Sequence, residues 1–452
     1  MRVKVQPEDF QVEERLSLSF SGRGPYAVYR VVKRNRTTLE VQAELAAKLG
    51  LPPSAAEFPA LKDKVALAVQ HGTVRLGSRP PPERLSGRGW QAELVGFLPR
   101  PLSPKDLAAN RFTVTLRDLA PEEAEAVKAL FRTIAQEGFP NYFDLQRFGS
   151  WSPRLGFPGK LLLLGRWEEA LRAYLAEPLR GDPPQILRFK GKAREHWGDW
   201  KLLKERAPRG NLRSVLTFLC DHPQDFKRAV NLITPRILSL WLSAYGSFLW
   251  NRTASRVIQA LAQGVQPLTF FSVLGEELAL PIYPLNAAFR AKVLGVHIPL
   301  PSAKTLPKLT VSAPNTPSLS WTTPGFSSLP KEEASDPSCS SVGGFLPPSP
   351  PGGEGRREGA LVAQALFAVL TEEGLDAKDL KARGLERAYL PRGERALWVL
   401  PAEPEHGEPE PDEFFPGKLK LTLSFALPPG AYATLLLRLL SLHKLPHKEA
   451  RE

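Results

Sequence analysis

The chain is poor in cysteine, histidine and methionine, and these scarcities exclude several classes of protein. Its 452 residues include two cysteines, seven histidines and one methionine. Cys220 and Cys339 are far apart and lack metal-ligand spacing, so we expect neither a disulfide framework nor a structural zinc site. Because the histidines form no cluster with the cysteines, no catalytic metal is expected either. We therefore predict that the protein holds no metal ion.

Long apolar runs are also missing. None reaches the roughly 18 residues that a membrane-spanning helix needs. The N-terminus, Met1-Arg2-Val3-Lys4-Val5, lacks the apolar region of a signal peptide and is typical of a strand. The sequence therefore predicts a cytoplasmic protein without membrane association.

Positive charge is abundant. Sixty Lys and Arg against 47 Asp and Glu give a net charge of +13 and an isoelectric point near 9.7. This balance favours a polyanionic partner, either nucleic acid or an acidic membrane surface. The sequence shows no basic amphipathic helix of the kind that binds membranes, so nucleic acid is the expected partner. No obligate protein partner is indicated. The length and a hydrophobic fraction of 42% suggest two or three domains.

Strand patterns occupy both ends of the chain and helix patterns its middle. Strands are predicted at 10–16, 25–33, 65–70, 110–117, 395–400 and 418–425, and helices at 37–50, 121–138, 237–263, 359–375 and 431–442. The order predicts an α+β fold with a sheet-based core at 1–160 and 390–452 and a largely helical insertion at 161–389. Between 304 and 353, Pro, Ser, Gly and Thr supply 30 of 50 residues, which predicts disorder.

A carboxylate between two lysines is the candidate for chemistry. Asp63 follows Lys62, precedes Lys64 and stands before an alternating segment that Gln70 closes. A side chain at a loop-to-strand junction can face a cleft while the strand holds it rigidly. Taken alone, however, a Lys-Asp-Lys run is more often a solvated turn.

Two further segments suit RNA. Phe139 to Gly149 holds three aromatic rings with Asn141 and Arg147, which favours either a core-packed turn or a strip that stacks a base and reads its edge. Arg188 to Arg213 holds nine Lys or Arg against three acids, with Phe and Trp interleaved. This second segment is either a solvated basic face or a phosphate-binding wall. Its candidate RNA-binding residues are Arg188, Lys190, Lys192, Arg194, Lys201 and Lys204.

Six motifs follow one another across nearly the whole chain: Gln6 to Glu14, Lys62-Asp63 with Ala66 and Gln70, Asn110-Arg111-Phe112, Asn141 to Gly149, Ser243-Ala244-Tyr245, and Pro429 to Thr434. In this order they resemble the motifs of the TruD family of tRNA pseudouridine synthases. The resemblance implies a pseudouridine synthase-type mixed sheet core that is split by an inserted, largely helical TRUD domain. It also implies a substrate and a reaction: a uridine at position 13 of tRNA becomes its C5-linked isomer without a cofactor.

The resemblance also implies roles for individual residues. Asp63 matches the essential catalytic aspartate, which breaks the glycosidic bond before the base rotates and C5 reattaches. Phe10, Asn141, Phe143 and Tyr432 match positions that contact the target nucleotide. Lys62, Gln70 and Arg147 are supporting residues, and we expect Arg147 to be the cationic partner of Asp63 because its planar fork can hold a carboxylate bidentately.

Five residues depart from the family pattern: Tyr26, Ala60, Ala68, Asp144 and Gly246. Two other hypotheses stay open, and the departures favour the first of them because they could disable the reaction. One is a non-catalytic RNA-binding or RNA-remodelling protein that retains the same cleft. The other is a glycosylase, which would use a carboxylate against a flipped nucleotide but release the base.

Overall fold

The protein is represented by a computed structural model, which describes residues 1–75, 80–179, 181–305 and 354–442. Cys339 and nearly all of the low-complexity segment predicted at 304–353 lie outside the described residues. The chain divides into two compact units. Unit 1 comprises Met1–Asp144, Ile282–Asn286 and the chain from Trp398 onward, and unit 2 comprises Leu145–Pro281 and Ala287–Leu397.

The described residues form sixteen strands and twelve α-helices. The strands are β1 Phe10–Leu16, β2 Tyr26–Arg34, β3 Ala56–Glu57, β4 Leu67–Arg75, β5 Arg84–Gly87, β6 Trp90–Leu98, β7 Leu107–Leu119, β8 Phe139–Pro140, β9 Leu268–Val273, β10 Glu276–Pro281, β11 His297–Pro299, β12 Glu394–Ala396, β13 Trp398–Val399, β14 Ala402–His406, β15 Glu410–Pro411 and β16 Leu419–Leu427. The helices are α1 Thr38–Lys48, α2 Pro121–Glu137, α3 Pro158–Leu163, α4 Trp167–Leu175, α5 Pro184–Glu195, α6 Trp200–Arg206, α7 Asn211–Asp221, α8 Phe226–Asn231, α9 Pro235–Ala262, α10 Ala287–Gly295, α11 Glu354–Glu372 and α12 Ala433–Leu442. The predicted α+β class is confirmed.

A mixed sheet of ten described strands organises unit 1. Its order is β14-β16-β7-β1-β4-β2-β6-β5, with β15 also paired to β16 and β3 to β4. Strands β1 and β4 run parallel, whereas β1 and β7, β2 and β4, and β7 and β16 are antiparallel. The strand nearest the C-terminus therefore lies beside β7, and the N-terminal strand β1 lies in the middle of the sheet.

Helices α1 and α2 cover the same face of this sheet. On β2, Tyr29 and Val31 are fully buried in one cluster with Leu45 of α1. The ring centroid of Phe425 on β16 lies 5.6 Å from that of Phe112 on β7 and 6.0 Å from that of Phe131 on α2. The strand register places Val31, Gln70, Val12, Phe112 and Phe425 on one face, because side chains alternate along each strand. Val28 of β2 points to the opposite face, where it forms a second buried cluster with Leu98 and Leu102.

The long helix α9 is the centre of unit 2. Its 28 residues pack against α3, α11 and β10. Trp250 is fully buried and its indole N–H donates to the carbonyl oxygen of Ile298 at 3.0 Å. A helix buried all round needs other elements on every side, which explains why unit 2 builds its core around α9.

Local sequence signals placed several elements correctly. Thr37 and Glu40 form the predicted capping box of α1: Thr37 Oγ1 accepts from the Glu40 backbone N–H at 3.2 Å, and Glu40 Oε2 accepts from the Thr37 N–H at 2.8 Å. The helix predicted at 237–263 is observed as α9. The strand predicted at 395–400 is wrong as a single element, because the chain leaves unit 2 after Leu397 and continues as β13, which pairs with β8 in unit 1. The hairpin of β9 and β10 was not predicted.

In the ranges that the structure describes, no helix combines the length and the apolarity needed to cross a membrane.

Candidate functional site

Asp63 lies in the turn before β4, and its side chain is 42% exposed. The Lys4 Nζ is 2.7 Å from Asp63 Oδ2 and lies 4.0 Å from the centre of the Phe10 ring. An ammonium group is attracted both by the face of an aromatic ring and by a carboxylate, so Lys4 is stabilised by Phe10 and by Asp63. Lys4, to which no role was assigned from the sequence, is therefore a cation that contacts the Asp63 carboxylate within unit 1, and the role expected of Arg147, a residue of unit 2, stays a prediction.

The N-terminal segment that carries Lys4 is fixed to β7 at both ends. Arg2 and Arg117 exchange two backbone hydrogen bonds of 2.7 and 2.9 Å. Further along, the Arg117 side chain donates to Asp9 Oδ1 at 2.9 Å, and the backbone N–H of Gln6 donates to Asp9 Oδ2 at 3.0 Å. Lys4 itself has φ of 60° in the left-handed region. The two anchors at Arg117 hold this unusual backbone where its side chain reaches Asp63.

Lys62 turns away from Asp63 into the interior. Its Nζ is 2.6 Å from Asn110 Oδ1 and 3.0 Å from Glu14 Oε1. The Lys62 side chain is 8% exposed and that of Glu14 is fully buried. Burial raises the pKa of the Glu14 carboxyl, and the charge of Lys62 acts in the opposite direction. Lys62 therefore fixes the loop through Glu14 and Asn110, two residues of the quoted motifs to which no role was assigned, and its part in the reaction stays a prediction.

Gln70 is fully buried behind the same loop. Its Oε1 accepts from Thr38 Oγ1 at 3.1 Å, and Thr38 Oγ1 accepts in turn from the backbone N–H of Lys62 at 3.0 Å. The next residue, His71, is also buried, and burial lowers its pKa to about 4. Gln70 therefore links α1 and β4 to the Asp63 loop rather than facing solvent.

The Phe139 to Gly149 strip belongs largely to the core. Tyr142 is fully buried, and Asn141 and Phe143 are 6% and 8% exposed. The ring centroid of Phe143 lies 6.1 Å from that of Tyr432, in an edge-to-face arrangement. Asp144, one of the departures from the family pattern, has an Oδ1 3.8 Å from a guanidinium nitrogen of Arg438. The structure thus pairs two of the predicted nucleotide-contacting rings and gives the unusual Asp144 a counter-charge.

Arg147 lies in unit 2. Its Nε donates to Ser247 Oγ at 3.0 Å, and Ser247 Oγ donates to the carbonyl oxygen of Ser243 at 2.8 Å. In the same part of α9, the buried Tyr245 hydroxyl donates to Glu373 Oε2 at 2.7 Å. The motif Ser243-Ala244-Tyr245 therefore supplies internal contacts of unit 2.

The predicted RNA-binding residues are not all available to RNA. Arg188, Lys192, Arg194 and Lys201 are exposed and Lys204 is half-buried. Lys190 is 4% exposed, and its Nζ lies 2.7 Å from Asp182 Oδ2. Its assignment as an RNA contact is corrected, because Lys190 lies on the buried face of α5 together with Phe189 and Ala193.

The interleaved aromatic residues of this segment pack internally. Trp200 is buried and donates to the carbonyl oxygen of Pro223 at 3.1 Å. Trp197 donates to Glu168 Oε1 at 3.0 Å and lies under the Arg172 guanidinium, 4.3 Å from its ring centre. In this segment the aromatic rings therefore pack inward, and the exposed cations form a basic surface over them. Both interpretations, a solvated basic face and a phosphate-binding wall, are compatible with such a surface.

Within the described ranges, no group of three or more His, Cys, Asp or Glu side chains is arranged to hold a metal ion.

Comparison with known proteins places this site in a family. The model of tRNA pseudouridine synthase D (TruD) matches residues 1–268. A protein of Methanocaldococcus jannaschii named probable tRNA pseudouridine synthase D 2 is 25% identical over 442 residues, which are 97% of this chain and 91% of that protein. A Methanopyrus kandleri protein named probable tRNA pseudouridine synthase D is 32% identical over 252 residues, 54% of this chain and 61% of that protein.

The fold has a solved counterpart. A TruD crystal structure from Methanosarcina mazei matches 96% of this chain and 92% of its own, with a TM-score of 0.61 and 23% sequence identity. Together, the mixed sheet and the family match define an RNA pseudouridine synthase, an enzyme of the isomerase class. The chain belongs to the TruD family.

Proposed function

We propose that this protein converts the uridine at position 13 of tRNA to pseudouridine and that Asp63 is its catalytic residue. The observation that carries the proposal is the exposed Asp63 carboxylate with the Lys4 ammonium 2.7 Å away, at the position that matches the aspartate of the family motif. A carboxylate that is both accessible and held by a cation is suited to attack or proton abstraction on a bound nucleotide.

The reaction needs no external reactant. The bond between ribose C1′ and uracil N1 breaks, the base rotates, and a bond forms between C1′ and C5, while the proton of C5 is lost and N1 gains one. Asp63 starts this sequence at the ribose or at the base. The role of Lys4 is to hold the carboxylate in one orientation, and Phe10 in turn holds Lys4 through its ring face.

The target uridine must leave its stack to reach Asp63. Extruding a base costs a few kcal/mol, and stacking on an aromatic ring returns about 1 to 3 kcal/mol. Phe143 and Tyr432, whose rings meet in unit 1, are proposed as that platform, with Asn141 and Phe10 as further contacts. Tyr432 is the more accessible ring, since it is half-buried whereas Phe143 and Phe10 are buried.

Binding of the tRNA is proposed to use the exposed cations of unit 2, namely Arg188, Lys192, Arg194 and Lys201, with the half-buried Lys204. Unit 1 is accordingly proposed as the catalytic domain and unit 2 as the inserted TRUD domain. Cytoplasmic location belongs to this proposal too, since tRNA is the substrate.

The proposal is tested with unmodified tRNA that carries tritium at uridine C5. The wild-type protein should release tritium to water and leave pseudouridine at position 13, whereas Asp63→Ala should do neither while it still binds the tRNA. Free uracil would instead indicate a glycosylase. Binding without any reaction by the wild type would indicate a non-catalytic RNA-binding protein.

A further inference from the structure

A second lysine contacts Asp63, at its main chain rather than its side chain. Lys33 stands near the end of β2 and is fully buried. Its Nζ donates to the carbonyl oxygen of Asp63 at 2.6 Å and to the carbonyl oxygen of Arg36 at 2.8 Å. One ammonium therefore joins the Asp63 loop to the turn that leads into α1.

A buried ammonium held by neutral oxygens is costly. Among the described residues, no carboxylate forms a salt bridge with Lys33, whereas the buried Lys62 has Glu14 and the buried Lys190 has Asp182. Burial, with a smaller contribution from the charge of Lys62, lowers the pKa of Lys33 to about 8 against the opposing effects of Asp63 and Glu40. A lysine kept in such a place without a paired acid calls for a reason beyond packing.

The surrounding contacts show what this lysine holds. The backbone N–H of Asn35 donates to the carbonyl oxygen of Ala66 at 3.3 Å, and Thr38 accepts from the backbone N–H of Lys62. The turn at 35–38 thus contacts the Asp63 loop on both sides of Asp63. Lys33 adds the bond to the peptide of Asp63 itself, between these two.

We propose that Lys33 is a positioning residue for the reaction: by fixing the Asp63 carbonyl, it sets where the carboxylate meets Lys4 and the target uridine. The inference rests on the proposed catalytic role of Asp63. It assigns two ammonium groups to one aspartate, Lys4 to its side chain and Lys33 to its main chain. The competing interpretation is a structural lysine that only closes the β2–α1 turn.

The two interpretations differ in how activity and stability depend on pH. The charged groups that face Lys33 are Asp63 and Lys62 of the loop and Glu40 of α1. Above pH 8 the Lys33 ammonium loses its proton, its hydrogen bonds to the carbonyls weaken, and activity should fall. Stability should change in the opposite direction: between about pH 8 and 10.5 the unfolded chain binds a proton that the native state does not, so the contribution of Lys33 to stability rises with pH.

The experiment compares Lys33→Met, Lys33→Arg and the control Lys48→Met, an exposed lysine of α1. We expect Lys33→Met to lower kcat for pseudouridine formation by about tenfold to a hundredfold, since small misplacements of a catalytic group have effects of this size. KM and tRNA affinity should not change, Lys48→Met should behave as wild type, and Lys33→Arg should recover part of kcat. The wild type should lose activity above pH 8 without losing stability, and this decline should be absent from Lys33→Met.

A folded Lys33→Met variant with the wild-type kcat and pH profile would overturn the proposal, as would a loss that appears only in the unfolding temperature or in tRNA affinity. If Lys33→Met does not fold, the wild-type pH profile decides: activity that stays level to pH 9.5 contradicts the positioning role. Failure of the proposed function itself would look different, because the wild type would then form no pseudouridine at any pH.

Discussion

Lysines are placed in opposite ways in the Asp63 loop and in the basic segment of α5 and α6. Around Asp63, Lys33 and Lys62 are buried: Lys33 donates to two carbonyl oxygens, and Lys62 donates to Asn110 and forms an ion pair with Glu14. Lys4 reaches a single carboxylate. In the basic segment, Lys192 and Lys201 are exposed. Lysines thus fix the backbone and the carboxylate of Asp63 in one region and provide exposed positive charge in the other.

The number of basic residues in a segment therefore does not predict whether each of them is exposed to a ligand or buried in an ion pair. Lys190, in the middle of the basic segment, is as buried and as paired as Lys62. What separates a positioning lysine from an RNA-binding lysine is burial and the identity of its acceptor. Mutation should therefore reveal two behaviours: loss of stability or turnover in one class, and a changed salt dependence of binding in the other.

The largest effect should come from Glu14→Gln. This change leaves the buried ammonium of Lys62 without its carboxylate, and breaking a buried pair costs about 3 to 5 kcal/mol. We expect the free energy of unfolding of the protein, measured in denaturant, to fall by about 3 kcal/mol. The adjacent Glu13→Gln is the matched control: Glu13 pairs with Arg30 at 3.0 Å, but both side chains are more than a third exposed, so it should cost less than about 1 kcal/mol. Equal losses of stability for Glu14→Gln and Glu13→Gln would mean that the buried pair contributes no more than the exposed pair.

A smaller effect is expected at Lys4. Lys4→Met removes the cation from Asp63, and a hydrogen bond to a charged group contributes about 1.5 to 3 kcal/mol, which partial exposure of this pair reduces. We expect kcat to fall about tenfold in single-turnover assays, with the melting temperature little changed. Lys64→Met, next to Asp63 and exposed, should leave kcat unchanged. Equal losses for the two variants would mean that general positive charge, and not the contact, matters.

The smallest effect should appear in RNA binding. Lys192→Ser and Lys201→Ser should each reduce the slope of log affinity against log salt by at most about 0.7 to 0.9, the value for one phosphate contact. Lys190→Met should leave that slope unchanged, because the buried ammonium contacts Asp182. A slope that changes for Lys190→Met and not for the other two would show that Lys190, and not the exposed lysines, contacts the RNA.

Local signals explain what the sequence could predict. The capping box at Thr37, the alternation of β4 and the motif around Asp63 lie within short stretches, so pattern alone identifies them. Lys4, Glu14 and Asn110 meet near Asp63 only because β1, β4 and β7 are neighbours in the sheet, and strand order cannot be read from a single stretch. The burial of Lys190 did leave a signal, since Phe189, Lys190 and Ala193 share one helical face.

The proposed function depends above all on Asp63, oriented by Lys4, as the group that performs the chemistry. The most direct measurement is single-turnover formation of pseudouridine at position 13 by the wild type, Asp63→Asn and Lys64→Met, with enzyme in excess over tRNA and folding verified by the melting temperature. We expect complete conversion by the wild type and by Lys64→Met, and none by a folded, tRNA-binding Asp63→Asn. Conversion by Asp63→Asn at a rate near that of the wild type would contradict it.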